Sequence, residues 1–148
     1  MKPSAPRPLV AAYLLALACF LALDACWLSV MGPWLYQPAL GALMAPQVDW
    51  WAAALFYPLY IGALVFFAIV PALDAARPGM ALARGALFGL AAYATYDLTN
   101  QATLRDWPWA VTLADLAWGT VASGSAAFAA TRLAVRFTSR PATRRSAR

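Results

Sequence analysis

The chain has no histidine and no glutamate, and only 11% of its 148 residues are charged. Without histidine there can be no His-based zinc centre, no Ser-His-Asp triad and no HExxH helix. Ser29, Ser123 and Ser125 therefore have no imidazole to activate them. No glycine-rich phosphate cradle or cofactor loop is present, so neither a cofactor nor a metal centre is expected. Cys19 and Cys26 lie seven residues apart. On one helix that is about 10 Å of rise, beyond the ~7 Å Cα separation a disulfide tolerates. Packed, unreactive thiols are expected instead.

What is abundant is hydrocarbon. Hydrophobic residues make up 64% and the mean hydropathy is +0.64, whereas soluble domains carry about a quarter charged residues. An integral membrane protein follows. Four apolar stretches approach the ~20 residues needed to cross hydrocarbon: residues 9–31, 51–73, 81–103 and 108–132. The expected architecture is all-α, one four-helix transmembrane domain over residues 9–132. It is preceded by a short N-terminus, 1–8, and followed by a basic, disordered tail, 133–148. The first apolar run is too long for a signal-peptide core of ~7–15 residues and lacks a clear cleavage site.

Lys2, Arg7, Arg77, Arg84 and the tail arginines alternate with an outer loop, 32–50, that has no Lys or Arg. By the positive-inside rule both termini of this multi-pass protein are cytoplasmic. The loop holds Trp34, Tyr36 and Trp50, which suits a short interfacial helix. The net charge of +5 is concentrated in the tail, at Arg132, Arg136, Arg140, Arg144, Arg145 and Arg148. Such a cluster directly after an apolar span touches anionic lipid, so membrane lipid is the expected partner and nucleic acid is not.

Three aspartates interrupt the apolar stretches: Asp24, Asp97 and Asp115. An ionisable group in hydrocarbon costs at least ~2.5–3.5 kcal/mol and normally faces a partner or a water-filled cavity. Asp24 and Asp115 each carry a tryptophan three residues later, Trp27 and Trp118, and Asp97 carries Asn100. At ~1.5 Å rise per residue, Asp24 and Asp97 lie roughly 22 and 24 Å above the cytoplasmic edge, and Asp115 roughly 10 Å below the outer face. All three fall in the outer half, level with Tyr57 and Tyr60 and beside Tyr93 and Tyr96. Tyr93, Asp97 and Asn100 share one helical stripe, because positions three and four apart are neighbours.

Pro58 adds a carbonyl near Ala54 that is freed from the helical ladder, or else marks a plain packing kink. Ala81, Gly85 and Gly89, with Gly119 and Ser123 on the last stretch, have the small-xxx-small spacing that permits close helix approach, which needs no function to explain it.

Three readings of the polar layer compete. In a structural one, aspartates fasten helices, but each such bond contributes about 0.6 kcal/mol, little beside the insertion cost. Alternatively, carboxyl, amide and carbonyl oxygens bind a proton, a cation or a small ligand. Four short helices leave little room for transport by alternating access unless a homo-oligomer forms. In the third reading, carboxyls act as general acid and base in membrane-lipid modification.

The run Gly85-Ala-Leu-Phe-Gly-Leu-Ala-Ala-Tyr-Ala-Thr-Tyr-Asp-Leu-Thr-Asn100 is followed by Ala102-Thr-Leu and Trp107-Pro108. Together with Leu23-Asp24, Trp27, Phe56-Tyr57, Tyr60, Asp115 and Trp118-Gly119, it resembles the bacterial membrane-protein family known as domain of unknown function 2177. The resemblance runs from about Leu9 to Arg132 and implies a compact four-helix inner-membrane protein. Its motif positions here are Asp24, Trp27, Tyr57, Tyr60, Tyr93, Tyr96, Asp97, Thr99, Asn100, Asp115 and Trp118. The expected roles are the aspartates as ionisable members, Asn100 as their orienter, and Trp27 and Trp118 as walls or indole donors.

Overall fold

The computed structural model describes residues 8–138, and every regular element among them is helical. Four rods form. The first joins α1 (Leu9–Met31) through a π-helical turn, Gly32–Tyr36, to α2 (Gln37–Leu40). The second joins α3 (Trp50–Leu64) through another π-helical turn, Val65–Ile69, to α4 (Val70–Asp74). The third and fourth are single helices, α5 (Pro78–Thr103) and α6 (Trp109–Thr138). The all-α four-helix architecture agrees with expectation. The end bearing the α2–α3 and α5–α6 connections is called the upper end below.

Two boundaries differ from the sequence reading. Residues 32–40 continue the first rod rather than forming a separate interfacial helix, because Gly32 and Pro33 are absorbed in a π turn whose wider ladder tolerates the missing proline N–H. Residues 133–138, assigned to the tail, continue α6: Ala134 is buried, so packing extends the helix. The rest of the basic tail, and residues 1–7, lie outside the described residues.

Local chemistry sets the helix ends. Asp49 caps α3 by accepting from the amides of Trp51 at 2.9 Å and Ala52 at 3.2 Å, replacing partners the first turn lacks. After α4 the chain reverses through Ala76 at φ +52°; Arg77 N donates to Ala72 O at 2.9 Å and Ala76 N to Leu73 O at 3.1 Å. This pair of bonds is a Schellman closure, and Pro78 then opens α5 at a position where its missing donor costs nothing. Pro71 cannot donate to the carbonyl of Phe67 one turn earlier, and Arg84 of α5 donates to that carbonyl at 3.4 Å. Pro58 sits inside a continuous α3, and its carbonyl accepts from the hydroxyl of Tyr13 at 3.2 Å.

Packing follows steps of four residues. On α1 the buried positions are Ala12, Ala16, Phe20 and Asp24. On α5 they are Ala81, Gly85, Gly89 and Asp97, with Tyr93 half-buried in the same series. Each aspartate is therefore the next step of a stripe of small or apolar residues that faces a neighbouring helix. The α5 stripe meets α6 closely: a Cβ at Gly89 would lie 1.9 Å from the carbonyl oxygen of Gly119, and one at Gly85 2.8 Å from that of Ser123. The small-xxx-small spacing read from the sequence is thus a helix–helix interface. The densest apolar core, including Phe20, Ile61, Leu64 and Ala126, occupies the lower half. Large side chains such as Leu55, Leu59, Phe66, Leu87 and Val121 point outward. Two rods, Leu9–Leu40 and Trp50–Asp74, are long and apolar enough to cross a membrane.

Substituting Gly89→Val is expected to destabilise the fold by at least the ~1–3 kcal/mol typical of overpacking, because the obstructing atom is backbone. Gly62→Ala and Gly79→Ala, where a Cβ meets nothing within 4 Å, should be near neutral. Thermal unfolding of the purified protein in neutral detergent checks the contrast.

Candidate functional site

The upper half of the bundle is held by polar side chains. Asp24, 7% exposed, ties three helices together. Its Oδ2 accepts from the Tyr57 hydroxyl of α3 at 2.5 Å and its Oδ1 from Trp118 Nε1 of α6 at 3.2 Å. Across the bundle, Asp115 accepts from the hydroxyl of Tyr36, and that hydroxyl accepts from Trp27 Nε1 at 2.7 Å. The two indoles lie face to face, 4.4 Å between centroids and 5° between planes.

This geometry explains why the Asp-x-x-Trp spacing occurs twice. Three residues along a helix put an aspartate and a tryptophan on nearly the same face. With α1 and α6 side by side, each indole then reaches toward the other helix's carboxylate. Trp118 reaches Asp24 directly, and Trp27 reaches Asp115 through Tyr36. The stack holds the crossed pairs in register, and offset aromatic contacts of this kind add about 0.5–1.5 kcal/mol beyond area burial.

A cavity of about 400 Å³ opens beside the stack, lined by Asp24, Trp27, Tyr36, Tyr93, Tyr96, Asp115 and Trp118 together with Leu40, Met44 and Trp107. A second space, also of about 400 Å³, lies between α3 and α5 and is lined by Phe56, Tyr60, Ala92, Tyr93, Tyr96 and Asp115. Neither lining contains lysine or arginine. Asp24 accepts from a phenol and an indole and Asp115 from a phenol, all of them neutral donors.

The remaining expected residues divide. Tyr60 is buried and shares a 2.7 Å hydrogen bond with Ser123 Oγ. Tyr93 lays its ring on Gly119, where a Cβ would fall 2.3 Å from its Cδ2. Tyr96 is 61% exposed and meets the ring of Trp107 edge-on at 5.9 Å. Asp97 is fully buried on the α5 stripe, neither carboxyl oxygen has a hydrogen-bond partner, and Asp115 is its electrostatic neighbour. Asn100 is half-buried and makes no hydrogen bond to Asp97, so it does not orient that carboxyl. Thr99 is exposed and donates back to the Thr95 carbonyl of its own helix, which turns it away from both cavities. The stripe that steps by four from Gly85 reaches Asp97 and Gln101, and it leaves Thr99 and Asn100 to one side.

Two contributions were missed from the sequence. Tyr36 was read as a membrane-interface anchor, yet it bridges Trp27 and Asp115. Its signal was an aromatic residue in a loop free of basic residues, without any spacing to tie it to Asp115. The other is a closed ring at the α5–α6 turn. Gln101 Nε2 donates to Trp107 O, Trp107 Nε1 to Thr112 Oγ1, and Thr112 Oγ1 to Gln101 Oε1, each at 3.1 Å.

Replacing Tyr36→Phe removes one oxygen and leaves both the Trp27 N–H and an Asp115 oxygen without their partner. The expected loss is about 1–3 kcal/mol, the desolvation cost of unsatisfied buried groups. Thr99→Val should change stability by no more than about 0.5 kcal/mol, as at other exposed sites. Unfolding curves of the two variants in the same detergent test this.

No curated protein and no solved structure matches the chain. A family model described as predicted membrane protein, domain of unknown function 2177, matches residues 9–132. That segment takes in the first three rods, most of α6, both Asp-x-x-Trp pairs and the tyrosines around them, so the chain belongs to this family of predicted membrane proteins.

Proposed function

We propose that this is a four-span protein of the bacterial inner membrane, both termini cytoplasmic, whose upper cavity binds a cation or a small cationic ligand. One observation carries the reading: Asp24 and Asp115 line a single cavity in which every donor to them is neutral. Two negative groups beside low-dielectric walls focus a field that a cation relieves. The indole and phenol faces around them add quadrupole attraction, about 0.5–2 kcal/mol for a desolvated cation over a ring. That combination suits an organic ammonium better than a small hard metal ion, which asks for six or more oxygen ligands. The topology rests on the arginine distribution and on the two long apolar rods.

A second reading, a role in membrane-lipid modification, is supported by the space between α3 and α5 that reaches Asp115 from the side of the bundle.

The first reading predicts that tetramethylammonium binds the purified protein and that Asp24→Asn and Asp115→Asn each weaken binding by about tenfold or more, equivalent to 1.4 kcal/mol. Calorimetric titration, with tert-butanol as a neutral probe of similar shape, measures this; equal binding of the two probes would overturn the cation site. For topology, a reporter active only outside the cytoplasm should work when inserted near Gln47 and fail when fused after Arg148.

A further inference from the structure

Above Tyr60 the second rod parts from α5, while Tyr57 keeps it on α1 through Asp24. The π-helical turn Val65–Ile69 packs against α5, and Tyr60 still meets Phe88 and Tyr93, with ring centroids 5.2 and 6.4 Å apart. Beyond that level α3 stands off: Phe56 is 44% exposed, and Leu55 and Leu59 point outward. The gap is the space lined by Phe56, Tyr60, Ala92, Tyr93, Tyr96 and Asp115. Its walls are rings and one methyl group, and Asp115 is their single charged member. Tyr93, Tyr96 and Asp115 also line the Asp24 cavity, so the two spaces adjoin along those residues.

Resting on the cation-site reading above, we propose that this cleft takes a membrane amphiphile sideways from the bilayer. Its hydrocarbon chain lies between α3 and α5, and its protonated amine meets Asp115. Charge complementarity selects the head. A phosphate would find no lysine or arginine in either lining and would be repelled by the carboxylates, whereas an ammonium finds carboxylate and aromatic faces together. The walls select the tail, since methylene groups pack against rings and a methyl but give a water-soluble cation nothing. The outward Leu55, Leu59 and Leu87 on the same two helices make the mouth of the cleft continuous with an apolar exterior.

The test uses the full chain in phosphatidylglycerol nanodiscs, whose lipid carries no amine. The probes are a long-chain alkylamine carrying a diazirine at mid-chain and the corresponding alcohol. After illumination, peptide mass spectrometry compares adducts on Phe56, Tyr60 and Ala92 with adducts on the outward Leu55 and Leu87. The ratio is expected to be about tenfold higher for the amine than for the alcohol, corresponding to 1.4 kcal/mol of head-group selection. Asp115→Asn should bring the amine down to the alcohol's ratio. Equal ratios for both probes in the unmodified protein would overturn the proposal, and this comparison needs no variant to fold. Tetramethylammonium binding on the same preparation separates the two claims. If it persists while the ratios are equal, the cation site stands and the amphiphile falls; if neither probe nor tetramethylammonium binds selectively, both fall.

Discussion

The upper half of this protein depends on one interaction, the crossing of two indoles between two carboxylates. Asp24 and Asp115 belong to helices at opposite ends of the chain, and each would be a costly isolated group in an apolar bundle. Stacked Trp27 and Trp118 remove that isolation by carrying an N–H to the other helix's acid, once directly and once through Tyr36. Tyr57 adds α3 to the same assembly. Polar residues so placed fix the rotation of three helices about their axes, which apolar contacts alone specify loosely.

Beneath this layer the bundle is closed by small residues. Gly85 and Gly89 bring α5 so near α6 that a Cβ at either would collide with the backbone of Ser123 or Gly119, and only small side chains such as Ser123 and Ala127 share the seam. The close seam has a consequence higher up. Tyr93 is too large to enter it and instead covers Gly119, holding its ring at the junction of the two cavities. The α3 rod does not follow α5 upward, and the space it leaves is the lateral cleft. Tight packing below and open space above are therefore two results of one arrangement of side-chain sizes.

Much of this could be read without coordinates. The four rods, the small-residue seam and the family follow from hydropathy, spacing and motif. So does the suspicion that the aspartates matter, because a carboxyl in an apolar helix is expensive wherever the helix goes. The sequence misassigned what depends on azimuth. Thr99 follows Asp97 by two residues, and at 100° per residue that turns it to the opposite face of α5, while Asn100, three residues on, stays near the Asp97 face but makes no hydrogen bond to it. Pro58, read either as freeing the carbonyl of Ala54 or as a packing kink, also offers its own carbonyl to the hydroxyl of Tyr13, a contact that no spacing in the sequence announces.

The sequence by itself determined an apolar, helical chain with most of its basic charge in the tail and costly carboxyls within its apolar stretches, because composition and period act locally and need no partner. Only the tertiary structure decided which carboxyl meets which donor. Hydrogen bonds reach about 3 Å, and residues as distant in sequence as Asp24 and Trp118 come within that range only when two helices lie side by side. It likewise decided that Tyr36, a loop aromatic by sequence, completes the site, because a π turn continues the first rod far enough to deliver its hydroxyl to Asp115.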